Sequence, residues 1–321
     1  MKIFSRSLLF ICLFILLGAP SIYFDILIPA AVDLPSSIKT LAIVDRSHSE
    51  NEVVNVLEKG LLSTLSKKGD RFSKNCVDGV YDQINGQSDV RAIKTGIVEK
   101  RKGTALDFPV PMEWFEIDNI CKAHQADAVL AIEIFSRQYI ENIAEVKVGV
   151  RIYDPVRKQI IDEFQYYNGI GKGQKIPDGE PGSLIVNTLN NDDALKQASY
   201  LAGIMYGKRI TPFWIKVKRD YYKRSKRDPK MAEGARMMEV NDWDAAIEAF
   251  QMAIEHGHRK TKGRAAHNLA ICYEITSQLD LAFETAQDAW GKYRNKKARE
   301  YSSILQNRKR EIELLRLQEE S

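Results

Sequence analysis

The N-terminal two thirds of the chain alternates short β-type apolar runs with helical stripes. Ile38–Val44 (IKTLAIV) is an apolar run closed by Asp45, Arg46 and Ser47, which predicts a buried strand. Asn51–Leu65 places Val53, Val54, Leu57, Leu61, Leu62 and Leu65 on one face, as an amphipathic helix does. Phe72–Tyr81 reads as a second strand, and the polar stretch 82–110 as a loop or short helix. Glu113–His124 is expected to be helical, Ala126 and Asp127 to turn the chain, and Ala128–Ser136 to form a strand. After a bend at Glu141 and Asn142, Val146–Tyr153 alternates at period two, the pattern of a half-exposed strand. Asp154 and Pro155 turn it back into a strand over Gln159–Tyr167. Three consecutive strands with short connections make an antiparallel meander. With the preceding strand–helix units they predict a mixed α/β sandwich, an α+β domain over 22–220. Asp192–Arg209 is expected as a helix and Thr211–Val217 as an extended segment.

Beyond a basic linker over 221–230 the rhythm becomes helical and repeats itself. Gly234, Met237, Ala246, Phe250 and Ala253 are matched by Leu269, Ala270, Tyr273, Ala282, Ala286 and Ala289, with an offset of 36 residues from Ala246 to Ala282. Small residues belong where helices cross closely, large ones between them. This pattern over 231–317 resembles the tetratricopeptide repeat, a helix–turn–helix unit, with Lys297–Leu317 as a covering helix. The resemblance implies an all-α C-terminal domain and a concave protein-binding face built from the first helix of each pair. Arg236, Glu239, His267, Asn268 and Glu274 are the expected groove positions.

The first 21 residues change the picture of where the protein acts. Lys2 and Arg6 precede the apolar run Ser7–Leu17, and Gly18, Ala19, Pro20 and Ser21 follow as small residues, the layout of a secretory signal peptide. Export to the periplasm or the outer membrane is expected. An uncleaved N-terminal anchor is the rival reading, because apolar residues continue to Ile28. No cysteine stands at a lipidation position, since Cys12 lies inside the apolar run. Net charge is +4 over 321 residues, too small to indicate nucleic acid by itself. Cys121 and Cys272 read as small buried hydrophobes; a Cys76–Cys121 disulfide is the alternative in an oxidising compartment.

LAIVDRS at Leu41–Ser47 and HQADAVLAIEI at His124–Ile134 resemble the α/β domain of bacterial envelope proteins. Members of that group include the curli-secretion lipoprotein, the lipoprotein activators of penicillin-binding proteins, and the N-terminal domain of the translocation protein TolB. With TPFWIKVKRDYY at Thr211–Tyr222 and the repeats, the layout is similar to an exported Bacteroidota family of unassigned function. In many of its members a lipidated cysteine precedes a stretch like IYFDILIPAAVDLP at Ile22–Pro35; that cysteine is missing here.

Candidate chemistry is sparse. Gly169, Gly171 and Gly173 with Lys172 and Lys175 suggest a phosphate loop, but Gln174 follows Gly173 where a P-loop needs Lys-Ser/Thr. His256 and His258 are half a metal site without partners at zinc spacing. Ser47 and His48 are adjacent in an extended run and face opposite ways. Asp45 ends a strand where catalytic acids often sit. The run Lys216–Lys230 is basic and holds Tyr221 and Tyr222. Lys223, Arg224, Lys226 and Arg227 suit an acidic protein partner or an anionic membrane surface, and export argues against nucleic acid. These readings predict an exported, non-enzymatic adaptor of the cell envelope that uses no cofactor and no metal. Two alternatives stand beside it: an envelope enzyme with a site near Asp45 and the Gly-rich loop 169–173, and a structural subunit of an envelope assembly.

Overall fold

The computed structural model describes residues 20–49, 70–87, 89–101, 108–140, 143–171, 191–225 and 228–320. The signal-type segment up to Ala19, the expected helix Asn51–Leu65, most of the Gly-rich loop, and Lys226 and Arg227 lie outside the described residues. The chain divides into two compact units. One comprises 25–216 with 311–321, the other 1–24 with 217–310. Together they are α+β: a mixed five-stranded sheet with helices, and an all-helical region.

The first unit is built on β2 (Thr40–Ser49), β3 (Arg91–Arg101), β4 (Ala128–Ile140), β5 (Ile143–Asp154) and β6 (Gln159–Gly171). Their order is β3-β2-β4-β5-β6. β2 runs parallel to β3 and β4, and β4–β5–β6 form the expected antiparallel meander. The centre of the sheet is covered on both faces, which is why β2 reads as a continuous apolar run. Leu41, Ile43, Leu130 and Ile132 face one core with helices α1 (Asp70–Gln87) and α3 (Asn191–Ile210). Ala42, Val44, Val129 and Ala131 face the other with α2 (Trp114–His124). α1 and α3 touch backbone to backbone: a Cβ on Gly79 would lie 2.0 Å from the Tyr200 carbonyl oxygen.

Two expectations for this unit are corrected, and one alternative is excluded. Residues 72–81 are helical, because Phe72, Cys76, Val80 and Ile84 recur every fourth position and all four are buried. Within 82–110 lies strand β3, whose charged residues Arg91, Lys94, Lys100 and Arg101 hide its β pattern and suit a sheet edge. Cys76 and Cys121 are free thiols in cores on opposite faces of the sheet, so no disulfide joins them. Cys272 is fully buried, as expected.

β1 (Ser21–Ile28) and β7 (Phe213–Asp220) pair as a two-stranded sheet, and the division between units falls inside both strands. The second unit then continues with α4 (Pro229–Glu239), α5 (Trp243–His256), α6 (Arg259–Ile275), α7 (Leu279–Gly291) and the first part of α8 (Lys296–Glu320). α4 and α6 end at Glu239 and Ile275, and α5 and α7 begin at Trp243 and Leu279, each time 36 residues apart (239 to 275, 243 to 279). Between them Asn241 and Ser277, again 36 apart (241 to 277), both take left-handed φ, 60° and 61°. The sequence period is therefore a structural one. Ala246, Ala253, Ala282 and Ala289 are buried as expected, with Phe250 at 0% exposure. Gly234 lies on that ring: a Cβ there would meet Phe250 Cε1 at 2.6 Å.

Candidate functional site

Three of the expected groove positions share a face of α6, and the chain's own residues 219–225 lie on that face. One face of α6 presents Thr261, Arg264, His267, Asn268 and Glu274, spaced by three, four and seven. Each meets a different residue of that segment. The Thr261 hydroxyl donates to Ser225 Oγ at 2.9 Å, and Arg264 donates to the Arg224 carbonyl at 2.9 Å. Asn268 makes a paired contact: its Oδ1 accepts the Tyr222 N–H at 2.9 Å while its Nδ2 donates to the Tyr222 carbonyl at 2.8 Å. His267 Nε2 lies 2.9 Å from the Asp220 carbonyl. Glu274 takes a two-pronged contact from Arg219 at 2.9 and 2.7 Å, and the Tyr301 hydroxyl donates to it as well.

The segment runs antiparallel to α6. Six extended residues at ~3.3 Å each span about 20 Å, and thirteen helical residues at ~1.5 Å span about the same. The strap continues from the end of β7 along the helix, held by main-chain groups of Asp220, Tyr222 and Arg224 and by the side chains of Arg219, Ser225 and the two tyrosines. Tyr221 is buried and its hydroxyl donates to Glu239 at 2.8 Å, and Lys223 pairs with the same carboxylate at 2.8 Å. Those two partners hold Glu239 below the usual carboxylate range, Lys223 first. The Tyr222 ring packs edge-on against His267, with centroids 5.5 Å apart. Burial pushes the His267 pKa down to about 4, so its ring is neutral at neutral pH.

His267, Asn268 and Glu274 were expected to line an open groove. They are 4%, 0% and 6% exposed, because the strap covers them. Repeat alignment could place them on this face, and it had no means of registering an occupant. Arg236, Glu239, Lys223 and Arg224 are exposed.

A second polar cluster sits in the sheet unit. Glu133 interrupts the β4–β5 register between Ile132 and Ile134 and is fully buried. It accepts from Arg46 at 3.0 Å, from Arg151 at 2.7 Å and from the Tyr153 hydroxyl at 2.5 Å. Burial first, and the Glu133 charge second, push the Tyr153 hydroxyl well up, so it remains a donor. Arg46 and Arg151 also donate to the carbonyls of Val110 and Pro109, which ties the incoming loop to the sheet. Sequence reading missed this set, whose one signal is a glutamate inside an apolar run. Asp45 Oδ1 accepts the Ser47 N–H at 3.0 Å and the Ser47 hydroxyl at 2.7 Å. Register puts Asp45 level with Ile132, Val150 and Phe164, whereas Gly169 lies opposite Glu145. The five-residue step from Glu145 to Val150 corresponds to about 17 Å along the strand, so the described residues do not bring Asp45 and Gly169 to one site. His256 faces Glu255 at 3.6 Å, and no group of metal-ligating side chains occurs among the described residues.

Comparison with known proteins gives families rather than activities. A model described as "Domain of unknown function (DUF8603)" matches residues 38–222, and one described as "Domain of unknown function (DUF6340)" matches residues 232–307. No curated protein matches the chain. Among solved structures, the PelC dodecamer from Paraburkholderia phytofirmans is 8% identical, covering 59% of this chain and 98% of its own, with a TM-score of 0.27. The hypothetical protein CT253 from Chlamydia trachomatis is 13% identical, covering 53% of this chain and 95% of its own, also with a TM-score of 0.27. With more than half of its length matched by the first model, the chain belongs to the DUF8603 family.

Proposed function

We propose that the chain is an exported, non-enzymatic adaptor of the bacterial cell envelope that binds a protein partner through a tetratricopeptide-like helical unit. The observation that carries this reading is the exposed basic rim that Lys223, Arg224 and Arg236 present on the helical unit. The strap occupies the face of Asn268, so the partner reads that rim, with Lys226 and Arg227 continuing the same positive run in sequence. Such a rim suits an acidic protein partner. The signal-type N-terminus and the resemblance to exported Bacteroidota proteins support the location. The enzyme reading would need Asp45 as its acid.

Complementation of a knockout tests the assignment. Reversal of Lys223, Arg224, Lys226 and Arg227 to Glu is expected to abolish rescue, while Asp45→Asn is expected to rescue, each judged at equal protein level. Rescue by the charge-reversed protein and failure of Asp45→Asn would replace the adaptor with the enzyme.

A further inference from the structure

Beside the strap, the start of α6 and the turn into α8 enclose a cleft of about 900 Å³. Its walls carry Arg259, Lys260, Arg264, Arg294 and Lys296, and none of its lining residues is acidic. Five positive charges in one cleft exceed the net +4 of the whole chain. Arg259, Lys260, Arg294 and Lys296 are exposed and meet no carboxylate among the described residues. Elsewhere on this unit some exposed lysines do find acids: Lys292 with Asp288 at 2.6 Å, Lys309 with Asp280 at 2.5 Å.

The helix that borders the cleft is built against its own charge preference. α4 and α5 are capped by Asp228 and Asp242, whose carboxylates accept from Met231 and Ala245. α6 begins at His258 with no side-chain cap and no acidic residue in its first turn. Arg259, Lys260 and Lys262 stand instead at the positive end of the helix dipole, where cations are disfavoured. An anion seated there would meet free N–H groups, the dipole and the cations together.

We infer that this cleft binds a ligand bearing several phosphate groups. The guanidinium forks of Arg259, Arg264 and Arg294 match pairs of phosphate oxygens. The uncapped helix start suits a tetrahedral oxyanion. The volume is at the upper end of small-ligand sites, room for several such groups rather than one ion. The site borders the strap through Tyr222 and Arg264 and does not depend on the adaptor reading.

Calorimetry of the full chain with sodium tripolyphosphate at low salt tests it. Saturable binding is expected, weakened at least tenfold in the Arg259→Ala, Arg294→Ala, Lys296→Ala triple variant, whose thermal unfolding should match that of the parent. A charge-matched triple in the other unit, Lys39→Ala, Lys74→Ala, Lys122→Ala, should change affinity less than twofold. No binding by the parent, or equal weakening by both triples, would overturn the inference, as would a hexaglutamate peptide that binds as tightly as tripolyphosphate. Co-sedimentation with phosphatidic acid vesicles separates the sources: sedimentation lost in the cleft triple assigns a lipid headgroup, and sedimentation that is absent from the parent assigns a soluble phosphate compound.

Discussion

His267 carries the clearest pH signature in the molecule. Its Nε2 faces a carbonyl, which only accepts, so Nε2 holds the proton, and Nδ1 is buried without a hydrogen-bond partner. Protonating Nδ1 would bury a second N–H with no acceptor, beside the Tyr222 and Tyr301 rings and with Lys297 opposing and Asp220 favouring the charge. Desolvation is the main cause of the depressed value of about 4. The unfolded imidazole protonates near 6.5 and the folded one near 4. The stability it contributes is therefore complete above pH 6.5 and lost progressively as pH falls to 4, by about 3 kcal/mol in all. Urea unfolding between pH 7 and pH 4 should show that decline, and His267→Gln should flatten it; an unchanged slope would place the histidine in water. Asn268→Ala makes a second test. It strands a main-chain donor and acceptor under the strap, and its denaturant midpoint should fall by the equivalent of about 3 kcal/mol. The repeat pattern placed His267 and Asn268 on this face, but their burial was not legible in the sequence, where they are two polar letters in an Ala-rich helix. A buried polar side chain looks like a surface one until its partner is known, and here the partner lies 46 residues away.

At the scale of elements, legibility followed the strength of the apolar rhythm. The strands of the meander, α2, α3 and the helical repeat were all readable, because each buries one continuous face or stripe. α1 was not. Its stripe of Phe72, Cys76, Val80 and Ile84 is thin, and its Gly79, essential to the contact with Tyr200, looks like a helix breaker. β3 was not either, because an edge strand advertises charge rather than alternation. The repeat gives a quantitative test of packing. Ala246→Leu adds volume at a fully buried crossing and should cost about 1–3 kcal/mol. Phe250→Ala empties the space against Gly234 and should cost about 3–5 kcal/mol. Chemical denaturation measures both, and unchanged midpoints would mean that these positions are not helix crossings.

For the molecule as a whole, the strap decides how the repeat unit is to be understood. An empty groove would leave His267, Asn268 and Glu274 exposed for a partner's peptide. The filled one turns them into structural contacts, so under the proposed adaptor function the partner surface is the rim, where Arg236 is exposed and Lys223 ties the strap to Glu239. The sequence could point to a binding face on these helices; it could not show that residues 219–225 would lie on it, because an extended basic segment looks the same whether docked or free. The proposed adaptor meets its partner through this rim, not through the sheet unit. Photo-crosslinking in intact cells separates the two, with a photoreactive amino acid placed singly at Arg236 or Lys223 on the rim and at Lys39 or Lys74 on the sheet unit. One discrete protein adduct, of the same mass from both rim positions, is expected, and none from Lys39 or Lys74. An adduct from the sheet positions with none from the rim would contradict it.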